Sequence, residues 1–169
     1  MNARRRFLKL ASVAAIPASS MILGQSARAE DGREKELVGA WRTVHTLPFP
    51  PGFFREFLTL SEGGTLMETN SFLHTNSNVD FSVYGLPNVV NASDGQGNWE
   101  RIGNGRIQAS FRKMLFDGAR ENFGDLRVVG TLQRNGARLV ADWQIEVVDA
   151  QDNLLANLGT ATSEGYRIG

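Results

Sequence analysis

From Val38 onward the chain alternates hydrophobic and polar residues in short runs, separated by clusters of Gly, Asn, Asp and Pro. A period of two marks a strand with one buried face, whereas a helix repeats every three to four residues. The first run, residues 37–46, sets Trp41, Thr43 and His45 on one face and Arg42, Val44 and Thr46 on the other. Pro48, Pro50 and Pro51 with Gly52 break that strand and predict a loop, because proline fixes φ and has no N–H to give a ladder. Residues 53–60 and 65–72 read as strands about the turn Ser61-Glu62-Gly63-Gly64. Further runs at 98–102, 106–116, 123–133, 137–148 and 154–167 bring the expected total to eight strands, joined mostly by hairpins. No stretch sustains a helical period. Eight meandering strands in one all-β domain close most economically into an antiparallel up-and-down barrel, which leaves no sheet edge open to aggregation.

Residues 74–97 depart from this rhythm. They are polar and Asn-rich (Asn76, Asn78, Asn88, Asn91), with an apolar run over 79–86 ended by Pro87. A connection of that length reads either as a lid over the barrel or as a disordered insertion.

The alternation also nominates the interior. If Trp41 points inward, so does His45, either as a polar contact or general base at a pocket mouth, or as a satisfied histidine at the strand end. The second strand groups Phe54, Glu56, Leu58 and Leu60, and the third groups Leu66, Glu68, Asn70 and Phe72. Joined by a hairpin, the two strands can bring Glu56 and Glu68 to one face. Two inward carboxylates would repel and raise one pKa, as acid/base pairs require; at the rim both would simply sit in water. Residues 106–116 alternate Ile107, Ala109, Phe111, Lys113 and Leu115 with Gln108, Ser110, Arg112, Met114 and Phe116, so neither face is cleanly apolar. In 137–148, Ala141, Trp143, Ile145 and Val147 share an apolar face.

The start of the chain adds an export route. Ala3-Arg4-Arg5-Arg6-Phe7-Leu8-Lys9 resembles the twin-arginine export motif, departing only at its first position. A weakly apolar stretch over 10–24 follows, shorter than the roughly 20 residues that span hydrocarbon. Ala27-Arg28-Ala29 supplies the small residues of a cleavage site. The expected division is a signal peptide over 1–29 and a barrel domain over 30–169, delivered by the twin-arginine machinery to the periplasm or secreted, with no stable membrane anchor. Removing the leader turns 18 basic and 18 acidic residues into 13 and 18, a net charge of −5. The remaining cations are scattered, which argues against a nucleic-acid surface. The absence of cysteine excludes disulfides and thiol nucleophiles, and two histidines far apart make a zinc site improbable, so neither metal nor cofactor is expected. No hydrolase, phosphate-loop or dinucleotide signature is present.

Gly39-Ala40-Trp41 resembles the G-x-W of lipocalins and the wider calycin superfamily. The segments Gly63-Gly64-Thr65-Leu66-Met67-Glu68-Thr69, Gly97-Asn98-Trp99-Glu100 and Thr160-Ala161-Thr162 are similar to bacterial lipocalin-like exported proteins. Allene oxide cyclase-like and dirigent barrels are neighbours in shape, and the usual T-D-Y motif of lipocalins is missing. The resemblance implies an eight-stranded barrel whose Trp41 closes one end and packs against Arg167. The barrel pattern, the aromatic content of several inward faces and the lack of a recognisable catalytic set point to a binding barrel for a small hydrophobic or amphipathic molecule, with Trp41, Phe54, Phe111 and Trp143 as pocket walls. His45, Glu68 and Arg112 are the expected polar contacts, with at most one of Arg112 and Phe111 lining the pocket, since neighbours in a strand face opposite ways unless a bulge intervenes. The alternative is an isomerase or cyclase that uses His45, Glu56 or Glu68.

Overall fold

A computed structural model describes residues 36–48, 51–70 and 80–169. The expected signal peptide, and the part of the Asn-rich segment over 74–79, lie outside the described residues. The strands are β1 (Gly39–Pro48), β2 (Pro51–Leu60), β3 (Thr65–Asn70), β4 (Asn91–Ala92), β5 (Gly95–Gly103), β6 (Arg106–Phe116), β7 (Asn122–Asn135), β8 (Arg138–Val148) and β9 (Leu154–Arg167). A single 3-10 turn, Ser82–Tyr84, is the helical element among the described residues. Every strand pairing is antiparallel, and the sheet closes because β9 pairs with β1 and β6 pairs with both β5 and β7. Short β4 pairs with the end of β6 beyond the reach of β5, and the backbone N–H of Ser93 donates to the Met114 carbonyl between them. β4 and β5 therefore act as one interrupted strand, and the molecule is a closed eight-stranded up-and-down barrel.

Two expectations about local structure change. The proline cluster does not spread the chain into a wide loop: Pro48 pairs directly with Pro51, so β1 and β2 form a tight hairpin. A proline is tolerated at a strand's first residue, where its missing N–H breaks no interior ladder. Likewise order returns before Asn98, because β5 begins at Gly95 and Val89 and Phe81 are buried under the approach to it.

The connections differ at the two ends. One end carries tight turns at Ser61–Gly64, at Asn104–Gly105 and at Gly136, whose positive φ values of 57°, 69° and 61° at Asn104, Gly105 and Gly136 match what short hairpins demand. Trp41 and Trp99 close this end: the indole of Trp41 donates to the Leu37 carbonyl at 2.8 Å, and that of Trp99 to the Ser61 carbonyl at 2.9 Å. At the other end lie two loops, each organised by an aspartate. Asp117 accepts from the backbone N–H groups of Ala119 and Glu121, and Asp149 from those of Gln151 and Asn153.

The expected Trp41–Arg167 contact is present. The two residues are cross-strand partners, and the guanidinium carbon lies 5.8 Å from the indole centroid. Arg167 also donates to the carbonyl of Val38. Gly39 makes this possible: its φ is 137°, and a Cβ there would lie 2.6 Å from Nη2 of Arg167. The glycine of G-x-W thus leaves room for the arginine that covers the tryptophan.

Replacing Trp41 with Ala should lower unfolding free energy by about 3–5 kcal/mol through the cavity it leaves, and Arg167→Ala by about 1–2 kcal/mol through loss of the cation–π contact. Urea unfolding followed by circular dichroism measures both, and unchanged midpoints would remove this contact from the account of closure.

Candidate functional site

The barrel interior is not purely apolar. Thr43, His45, Glu56, Glu68, Asn70, Lys113 and Ser163 are buried among leucine, valine and aromatic side chains. Each is inward because it keeps step, two or four residues away, with an apolar neighbour: Trp41 on β1, Leu58 on β2, Leu66 on β3, Phe111 on β6 and Ala161 on β9. The pleat thereby carries polar groups into a space from which water is largely excluded, where an unpaired charge is costly.

Two connected groups result. In the first, Lys113 Nζ donates to Glu68 Oε2 at 2.7 Å, both side chains being 0% exposed, and Asn70 Nδ2 donates to Glu68 Oε1 at 2.7 Å. In the second, Glu56 Oε1 accepts from the Thr43 hydroxyl at 2.8 Å and lies 2.5 Å from His45 Nε2. That approach lacks hydrogen-bond geometry, so neither ring nitrogen of buried His45 has a hydrogen-bond partner. The groups meet where β2 and β3 pair, since Glu56 is the cross-strand partner of Asn70. Burial pushes the Glu68 carboxyl up to about 6; Lys113 pulls in the opposite direction without overcoming desolvation, and nearby Glu56 adds to the rise.

Aromatic rings surround the histidine. Its imidazole stacks on Phe54 at 4.6 Å with ring planes 12° apart, and on Trp143 at 5.9 Å and 26°. Phe54 comes from β2 and Trp143 from β8, on opposite sides of β1 in the strand order, so the imidazole is held between the two rings. Phe111 meets Trp143 edge-on at 5.8 Å, and Trp143 is fixed by its indole N–H, which donates to the Ser163 hydroxyl at 2.9 Å. Across the sheet Trp143 lies flat over Gly130, where a Cβ would come within 2.3 Å of the indole.

The structure therefore brings together His45, Glu56, Glu68, Phe54, Phe111 and Trp143, and it resolves the choice between interior and rim: both glutamates are inside, each 2% exposed. Trp41 belongs to the closed end. Arg112 is a correction. It points outward and pairs with Asp152 at 2.5 Å and Asp125 at 3.9 Å, because residues adjacent in a strand face opposite ways and its neighbour Phe111 is inside. The interior cation is Lys113, which the sequence placed in step with Phe111 but did not single out. Its signal was a lysine in an inward register flanked by Phe111 and Leu115. Depressions on the outer wall, one of about 450 Å³ between β1, β7, β8 and β9, are lined by Val44, Thr46, Thr131, Asp142 and Thr162 and lie on the opposite face of the sheet from His45. No family model, curated protein or solved structure matches the chain.

Removing Lys113 alone should be severe. Lys113→Met leaves Glu68 buried without its cation, forced to take up a proton or stay an unpaired charge, and should lower stability by about 3–5 kcal/mol, whereas the double variant Lys113→Met/Glu68→Gln should recover much of that loss. Glu68 also sets a pH dependence. Its folded pKa lies above the ordinary 4.5, so the folded state holds the proton more tightly, and this contribution to stability is complete below pH 4.5 and fades as pH rises through about 6. Relative to Glu68→Gln, the wild-type protein should lose about 2 kcal/mol between those limits. Parallel urea titrations of the two proteins that showed the same pH dependence would contradict the assignment.

Proposed function

We propose that the chain is an exported, calycin-type barrel that binds one small amphipathic molecule in its interior, in the periplasm or after secretion. The observation that carries this reading is His45: an imidazole 2% exposed, held between Phe54 and Trp143, with Nε2 facing the Glu56 carboxylate and Nδ1 without a partner. Leaving a buried polar atom unsatisfied costs about 1–3 kcal/mol, a cost that a bound ligand removes. An eight-stranded barrel has room for side chains or one small ligand, and aromatic walls with a few placed polar groups are the usual make-up of such a site. The twin-arginine-like leader supports the location, and the Gly39-Ala40-Trp41 motif with Arg167 supports the calycin kinship.

A second reading, an isomerase or cyclase, draws on the displaced acidity of Glu68. A carboxyl with pKa about 6 close to a His–Glu pair offers a proton donor and an acceptor in one barrel interior. In that case Glu56→Gln, Glu68→Gln or His45→Ala should each abolish turnover of a substrate while the far-ultraviolet spectrum stays that of the folded barrel.

Native mass spectrometry of the protein purified from its own periplasm should show a stoichiometric bound small molecule, and His45→Ala should release it. Bare protein mass together with an interior that takes up no added ligand would mark the barrel as a filled structural element and end the binding reading.

A further inference from the structure

The interior also restricts which polar end a ligand can bring. Among the described residues the buried ionisable groups are two acids, Glu56 and Glu68, one permanent cation, Lys113, and His45. Lys113 is already used, because its ammonium lies 2.7 Å from Glu68. The arginines among the described residues are all at least partly exposed, so none lies in the core to receive a second anion. A carboxylate or phosphate entering beside Glu56 would add a like charge with no free cation to meet it.

The histidine gives the complementary half. Neutral imidazole has one N–H donor and one acceptor nitrogen, and the partner of one nitrogen fixes the role of the other. In a neutral ring an N–H at Nε2 faces the Glu56 carboxylate favourably, which leaves Nδ1 as a buried acceptor with nothing donating to it. What is missing at this place is a donor.

Resting on the reading of the barrel as a small-molecule binder, we propose that its ligand is a small aromatic or similarly flat molecule whose polar end is a hydrogen-bond donor, an amine or a hydroxyl, seated on His45 Nδ1 beside Glu56, and that anionic ligands are excluded. An amine gains twice, from Nδ1 as an acceptor and, when protonated, from the charge of the Glu56 carboxylate beside it. A hydroxyl gains the first of these alone. The flat body follows from the walls: Phe54, Phe111 and Trp143 offer ring faces and edges at the same place.

Three probes of one shape separate the possibilities: phenethylamine, phenethyl alcohol and phenylacetate, titrated at neutral pH into the mature protein and read by tryptophan fluorescence and by calorimetry. The amine and the alcohol should bind at least tenfold more tightly than phenylacetate, with the amine first. His45→Phe, which keeps the ring and removes its nitrogens, should erase the preference. Because that variant can fail to fold, Glu68→Gln supplies a second test: it releases Lys113 and should raise the affinity for phenylacetate at least tenfold. Tightest binding of phenylacetate to the wild-type protein would overturn the inference and leave the binding reading standing, and so would a phenylacetate affinity unmoved by Glu68→Gln. Binding of none of the three would overturn both, and would assign the space at Nδ1 to ordered water.

Discussion

Closure of the sheet through the β9–β1 pairing is the constraint on which the rest of this structure depends. Once the last edge is paired, one face of every strand loses access to water, and each inward side chain must find its partner among the other inward side chains. The Trp41–Arg167 contact sits on that seam, with Gly39 shaped to admit it. Closure and the end plug are thus built from the same residues: the seam brings Arg167 over the indole, and the indole in turn seals the end where the tight turns lie.

The polar interior follows from closure. A half-open sheet would let Glu56, Glu68 and Lys113 reach water, and their pairing would be worth little. Inside a closed barrel the same groups hold each other in place. Lys113 from β6 spans to Glu68 on β3, Asn70 occupies the second oxygen of that carboxylate, and Thr43 fixes Glu56 across the β1–β2 ladder. Such pairs add little net stability compared with apolar packing, but they punish any rearrangement that separates them. His45 stands apart because it alone is left with unpartnered buried nitrogens among the described residues. A fold that satisfies its other interior groups and leaves one histidine open, between two rings and beside a carboxylate, is organised for something that arrives from outside.

Much of this was legible in the chain. Strict alternation fixed which residues face inward on β1, β2, β3, β6 and β8, since the side-chain period of a strand is two and a shift of one would invert every face. The turn residues set most strand limits, and G-x-W with Arg167 announced the closed end. The misreadings were local. The prolines predict a loop, yet Pro48 and Pro51 flank a hairpin; and of the neighbours Phe111 and Arg112, of which one at most can be interior, it is Phe111 that is buried.

What the sequence by itself determined is the set of inward residues, because that depends only on parity along each strand. What only the tertiary structure decided is which of them meet. Glu68 and Lys113 are 45 residues apart, and His45 and Trp143 are far more distant in the chain; nothing local relates them. Their contact depends on the order of strands around the barrel and the register of each ladder, which are properties of the closed sheet. The shifted acidity of Glu68 and the unpartnered nitrogens of His45 arise from that arrangement alone, because both are consequences of who stands opposite whom in a space without water.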